Sequence, residues 1–468
     1  MNEESTLEKA DQTKLILNEK LYKVMIRLSW PAIIAMVLYG LNAVISAFFV
    51  GRYVGENALA GVSVAYPLSQ ISAGLGSLIG VGAGSVLSIA IGRQDKSTQK
   101  RLLGNVNCLA LIVTGIYMIL GLVFSTQFIK MMGGEGEALF FGDQYFRITV
   151  LCSFFWIYGL AANMIIRAEG KMKSAALLMA IGLVADVAFH YILVVLLNLG
   201  VEGAAWATNI GMIVYTLLGW IYFKGGFSSF KTSTFAFYWN GSILKSITNL
   251  GMSSLIMNIM NLVQAVIVFN ALAKYGTTLD IAFYGVVFRI FTFLLTPIFG
   301  LMRALQPVIG INYGARQYDR VISSYKVFTF ASMLLTLPFW ILSMVAPQFI
   351  LGMMLPDQAF TGAQFLHFRI YMAILPLLSS IFMAMTFFPS INKGRPAVLI
   401  GIARQLVFYV PVMLLLPRVL GVSGIYYGSL GIDTIIVLWT VIMVRQEFIA
   451  LRAAKAEDSE AAGQLSCT

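Results

Sequence analysis

The sequence predicts an all-α polytopic membrane protein. Twelve transmembrane helices form two six-helix bundles, related by a pseudo-two-fold axis along the membrane normal. Three observations predict this. The 468 residues are 59% hydrophobic and 11% charged, with mean hydropathy +0.83, where soluble chains carry about 25% charged residues. Twelve apolar runs are long enough, at 1.5 Å per helical residue, to cross a ~30 Å hydrocarbon core. The two halves of the chain also repeat one another at a nearly constant offset.

Residues 1–24 are polar and of mixed charge, a cytoplasmic arm without the early apolar run of a signal peptide. Apolar spans follow near 26–50, 58–91, 104–125, 145–166, 175–197 and 203–223, making an N-terminal bundle over 25–223. A polar linker occupies 224–242. The C-terminal bundle, 243–445, holds spans near 247–273, 281–312, 325–347, 365–389, 397–417 and 422–444. The charged, small-residue-rich tail, 446–468, is expected to be frayed in the cytosol.

Loop charges set the orientation. Loops after even-numbered spans carry Arg93, Lys96, Lys100 and Arg101, then Arg167, Lys171 and Lys173, and further basic residues in the second half. Loops after odd-numbered spans carry little beyond Arg52, Lys130, Lys274 and Arg418. Both termini are therefore expected in the cytoplasm, in a multi-pass protein of a bacterial inner membrane. The net charge of +11 would suggest nucleic acid in a soluble chain; here the basic loops explain it, and no nucleic-acid partner is expected.

The repeat is visible in turns and charges as well as in hydropathy. Gly92 matches Gly314 and KMKSA at 171–175 matches KGRPA at 393–397, each 222 residues on. GVEGAAWAT at 200–208 matches GVSGIYYGS at 421–429, offset 221. An even number of spans per repeat gives both halves one orientation, with a cavity between them, an architecture suited to alternating access.

These motifs resemble the multidrug and toxic compound extrusion (MATE) family. The resemblance rests on Leu-Ser-Trp-Pro at 28–31, LYGLNAVISAFFVGRYVGENALAGV at 38–62, Ile91-Gly92-Arg93, the GVEGAA run from Gly200, and Asn312-Tyr313-Gly314-Ala315. It covers roughly 25–445. It implies two six-helix bundles in a V, and efflux of organic, often cationic and aromatic compounds driven by H⁺ or Na⁺. Two positions depart from the family pattern. Ser46 stands where many members carry an Asp three residues before Phe49-Val50-Gly51. In the fifth span Asp186 stands at the usual Asn and His190 at the usual Asp.

Asp186 and His190 are therefore the candidate coupling pair. They are the two ionisable residues of an otherwise apolar span, four apart and on one helix face. A histidine suits protons, so H⁺ is expected as coupling ion and Na⁺ is less favoured. Candidate substrate-binding residues are Tyr39, Asn42 and Ser46 in the first span, Asn163 and Asn209, Asn258, Asn261 and Gln264 in the seventh span, and Arg289 in the eighth. Arg303 is expected to snorkel to the interface. No enzyme constellation, phosphate loop, metal cluster or cofactor motif is found.

The expected activity is secondary active export of an organic small molecule by a monomeric chain in the lipid bilayer. The alternative is a flippase for a lipid-linked oligosaccharide or lipid, of the same superfamily, whose cavity should be rich in Arg and Lys. Single cysteines introduced at Gln94 and Gln317 should react with an impermeant maleimide from the cytoplasmic face only. Labelling from outside would reverse the topology.

Overall fold

The computed structural model describes residues 12–354 and 360–466. Among these residues helix is the only regular secondary structure. A short helix, α1 (12–18), precedes the first half. That half comprises α2 (Leu21–Tyr53), α3 (Glu56–Gly92), α4 (Lys96–Val123), α5 (Ser125–Met131), α6 (Gly136–Leu151), α7 (Ser153–Ala168), α8 (Met172–His190) and α9 (Gly200–Lys224). The second half comprises α10 (Gly241–Tyr275), α11 (Thr278–Gly314), α12 (Tyr318–Val345), α13 (Pro347–Met354), α14 (Gly362–Met372), α15 (Leu375–Ser390), α16 (Gly394–Ile402), α17 (Val410–Leu420) and α18 (Ser423–Ser466). Among the described residues eleven stretches are long and apolar enough to cross a membrane, and the bent pair α6–α7, taken as one span, makes twelve.

One span differs from its expected form. The fourth, read as a single helix over 145–166, bends by 56° between α6 and α7. The bend lies at Cys152, where the backbone leaves helical geometry. It lets α7 lie against α3. A Cβ added at Gly76 would stand 2.9 Å from the Ile157 carbonyl, and one at Gly80 2.6 Å from Met164 Sδ. Small residues permit such backbone approach.

The halves meet along a glycine seam that shows the repeat in three dimensions. A Cβ at Gly92 would collide with the carbonyl oxygen of Ile311, and one at Gly314 with that of Ile89. Both partners obey the 222-residue offset (89 + 222 = 311; 92 + 222 = 314). The contact is thus reciprocal, as a two-fold axis requires. Gly82 and Gly251 extend the seam between α3 and α10 against Ile247 and Leu78, and Gly300 of α11 meets Ile33 of α2.

The ends of the chain close over the side on which α3 and α11 terminate. Gln12 donates to the Gly170 carbonyl (2.9 Å), and Arg320 donates to the Ile16 carbonyl (2.8 and 3.1 Å), so α1 straps one half to the other. The arm's residues 1–11 lie outside the described residues. The linker is pinned to α4 by Asn107, which donates to Thr234 and Ala236, and by Asn105, which accepts from the Asn240 amide. The tail is not frayed over its described part. It continues α18 as helix and pairs Asp458 with Arg316 at 2.9 Å.

The seam makes a stability prediction. Gly92→Ala should lower the thermal stability of the purified protein by about 1–3 kcal/mol, the cost of overpacking. Gly115→Ala, where nothing lies within 4 Å, should be close to neutral. Equal melting temperatures for the two variants would refute the tight contact.

Candidate proton and substrate site

Asp186 and His190 occupy the last turn of α8, immediately before a π-helical segment, Tyr191–Leu196. Such segments occur frequently at functional sites. The equivalent span of the second half is also interrupted by one, Ala403–Tyr409. Local packing explains the burial. A Cβ on Gly211 of α9 would stand 2.7 Å from Asp186 Cβ, and one on Gly182 2.9 Å from Tyr215 Cβ. The two glycines let α8 and α9 nearly touch at this depth, and that excludes water. Asp186 is 1% exposed and His190 fully buried.

The pair is close but poorly aligned. His190 Nδ1 donates to the backbone carbonyl of Asp186 at 2.9 Å, which places the ring proton on Nδ1. The same nitrogen is 3.3 Å from Asp186 Oδ1. Neither carboxylate oxygen has a well-formed hydrogen bond, and His190 Nε2 has no partner. Phe49 of α2 packs on the imidazole, with ring centroids 5.3 Å apart. Tyr145, with Ser46 and Thr208 beside its hydroxyl, completes the surround. The arrangement offers proton acceptors in an apolar enclosure.

One turn before Asp186, Gly182 borders a cavity of about 40 Å³, room for one water. Tyr39, Asn42, Trp156, Met179, Met212 and Tyr215 also line it. The structure thus brings Tyr39 and Asn42 to one cavity, and sets Ser46 at Tyr145, beside Asp186. The other sequence candidates are elsewhere. Asn163 donates to the Ala175 carbonyl (2.8 Å), tying α7 to α8. Asn209 bonds the Ile148 carbonyl and accepts from Trp156, so its amide is occupied. Asn258 donates back to Ser254 within α10, and Asn261 is exposed. Gln264 accepts from Gln405 at 2.8 Å. Arg289 is exposed on α11.

Two arginines correct the sequence reading. Arg303 does not snorkel: its Nε is buried without a partner and its Nη1 lies against Met164 Sδ. Arg167, read as a loop charge, is 3% exposed on the last turn of α7.

A third polar centre was missed. Arg404 and Asp433 form a buried, two-bond ion pair (2.7 and 3.3 Å) between the last two spans. Gln405, next in sequence, separately donates to Gln264 at 2.8 Å. The signal was present: both residues are ionisable groups inside apolar spans, the rule that singled out Asp186. Among the described residues no cluster could hold a metal ion.

The MatE family model matches residues 31–192 and 250–415. The multidrug export protein MepA of Staphylococcus saprophyticus is 25% identical over 441 residues, covering 93% of this chain and 96% of that protein. A crystal structure of MATE in a bent conformation superposes with TM-score 0.89 at 23% identity, covering 95% of this chain and 99% of the other. An outward-facing multidrug resistance MATE family transporter superposes with TM-score 0.87 at 24% identity, covering 94% and 98%.

The second-half ion pair is a structural element open to a direct check. Asp433→Asn should destabilise by about 3–5 kcal/mol, because it leaves Arg404 buried and uncompensated. The double variant Arg404→Met, Asp433→Leu should recover most of the loss in thermal unfolding. If Asp433→Asn melts like the parent, the pair is not a buried ion pair in solution.

Proposed function

This chain belongs to the MatE family, and on that premise we propose that it exports amphiphilic organic compounds in exchange for protons, with Asp186 and His190 as the coupling pair. It is a transporter and not an enzyme. The observation that carries the coupling assignment is a carboxylate and an imidazole buried together with open acceptor atoms. Export is supported by the likeness to a multidrug export protein along nearly the whole chain. The basic loops support cytoplasmic termini in the inner membrane of a bacterium, and a single chain suffices for the site.

Protons fit this site better than sodium. A hard cation needs several oxygen ligands. The ring nitrogen facing Asp186 carries a proton, and an N–H repels a metal ion. With Nδ1 protonated, Nε2 is the ring atom that can accept a further proton, and the carboxylate is the other acceptor. A buried carboxylate with no good donor is a costly state. Opening the α8–α9 contact to water relieves it. Proton occupancy and bundle packing are thereby linked, and substrate binding that parts α8 from α9 can exploit that linkage. Tyr39, Asn42 and Ser46 form the first-half wall of the substrate path. Asn163 and Asn209 brace it.

In proteoliposomes with an imposed ΔpH, Asp186→Asn should abolish efflux of an ethidium-type cation while remaining folded. His190→Ala should slow efflux or move its pH optimum, a smaller effect, since Asp186 can still carry a proton. The double variant should match Asp186→Asn, as expected for residues acting together. Transport by Asp186→Asn at the parent rate from pH 6 to 8 would remove the pair from the mechanism. A protein that exports nothing from a broad panel, but whose loss alters envelope glycans, would be a flippase.

A further inference from the structure

We propose that each half of the chain carries a site for the phosphodiester headgroup of an anionic phospholipid, in the leaflet that meets the basic loops. The first is a groove of about 460 Å³ where α1, α8 and α9 meet the start of α2; Arg27, Lys171, Lys173 and Leu177 line it. The second, of about 900 Å³, lies between α10 and α16; Lys245, Lys393, Arg395 and Leu399 line it. Lys171, Lys173 and Leu177 match Lys393, Arg395 and Leu399 at the 222-residue offset of the repeat. Leu28 and Gly170 of the first lining match Leu250 and Asn392 of the second at the same offset. The grooves are one feature built twice. Among the described residues no acidic side chain lines either of them.

In each groove one lysine is held and two other cations are open. Lys171 donates to the Phe227 carbonyl and lies near buried Glu169; Lys393 pairs with Glu447 at 2.8 Å. Arg27 and Lys173 in the first groove, and Lys245 and Arg395 in the second, are exposed and have no acidic partner among the described residues. The first turns of α8 and α16 also line the grooves, and neither helix has a side-chain cap. Their amide N–H groups add to the attraction for an anion. Further into each span the wall turns apolar. Leu177 and Val184 of α8 are 60% and 68% exposed, and their repeat equivalents Leu399 and Leu406 are each 52% exposed. Both pairs lie in membrane spans, where exposed leucine meets acyl chains. A free phosphate ion uses the cations alone; a phospholipid uses the cations and the apolar stripe together. Basic pockets between spans are the pattern that recognises anionic headgroups. The sites are independent of which compound the protein exports.

The test is native mass spectrometry of the full chain, delipidated in detergent and titrated with phosphatidylglycerol beside phosphatidylcholine of the same acyl chains. The parent should take up two phosphatidylglycerol molecules more tightly than any further one, and at least about tenfold more tightly than phosphatidylcholine. Arg27→Gln with Lys173→Gln should remove one of the two, and Lys245→Gln with Arg395→Gln the other. Each double variant should weaken its site about 25-fold, at about fivefold per cation removed. Lys96→Gln with Lys100→Gln makes the same change of charge on α4, outside both grooves, and should keep both lipids. Arg27→Lys and Arg395→Lys, which preserve the charge, should keep them too. Excess inorganic phosphate should displace neither. Two tight lipids on the groove variants, an equal loss in the α4 variant, or no preference over phosphatidylcholine overturns the sites. Displacement by inorganic phosphate overturns the lipid reading in favour of a bare anion site.

Discussion

The structure depends on one constraint: a carboxylate lies inside an apolar bundle with only a histidine for company. Burying a charge at membrane depth is costly, and a fold tolerates it where protonation or a partner relieves the cost. Asp186 has half of a partner. Its nearest nitrogen, His190 Nδ1, already donates to the backbone carbonyl at 2.9 Å, leaving the carboxylate at 3.3 Å without a well-aligned donor. The glycine contact of α8 with α9 enforces this arrangement. It keeps water out while the two helices touch and admits water when they part. On the proposed coupling role of Asp186, the same backbone approach governs both chemistry and conformation.

The rest of the fold supplies the means of parting. Two halves related by a 222-residue repeat meet through reciprocal glycine contacts, Gly92 on Ile311 and Gly314 on Ile89. Such contacts are close and have little side-chain interdigitation, so a rocking motion breaks few of them at a time. The bend at Cys152 and the π-helical segments in α8 and its counterpart are further points at which helices deviate from straight rods. The strap α1 and the docked tail lie at the side on which α3 and α11 terminate.

Much of this was legible in the sequence, and the omissions have physical causes. Hydropathy and spacing located the spans, because the bilayer requires continuous apolar helices. The i, i+4 relation of Asp186 and His190 put them on one face, but helical spacing carries no information on how a ring nitrogen spends its proton. The bend at Cys152 has no proline to announce it; it arises from packing against Gly76 and Gly80. Arg303 was misread because sequence gives depth along a helix and not the direction a side chain faces. The Arg404–Asp433 pair was missed for want of applying the same burial rule to the last two spans. Asn163 and Asn209 looked like cavity groups, and their amides instead tie backbone segments together.

The central claim is that substrate binding and proton release are linked through Asp186. The most direct test is proton release on substrate addition to purified protein in weakly buffered detergent solution, followed with a pH indicator. The account predicts release of about one proton per bound substrate by the parent, as reciprocal linkage requires, and none by Asp186→Asn when it still binds substrate. Equal proton release by the two proteins would contradict it.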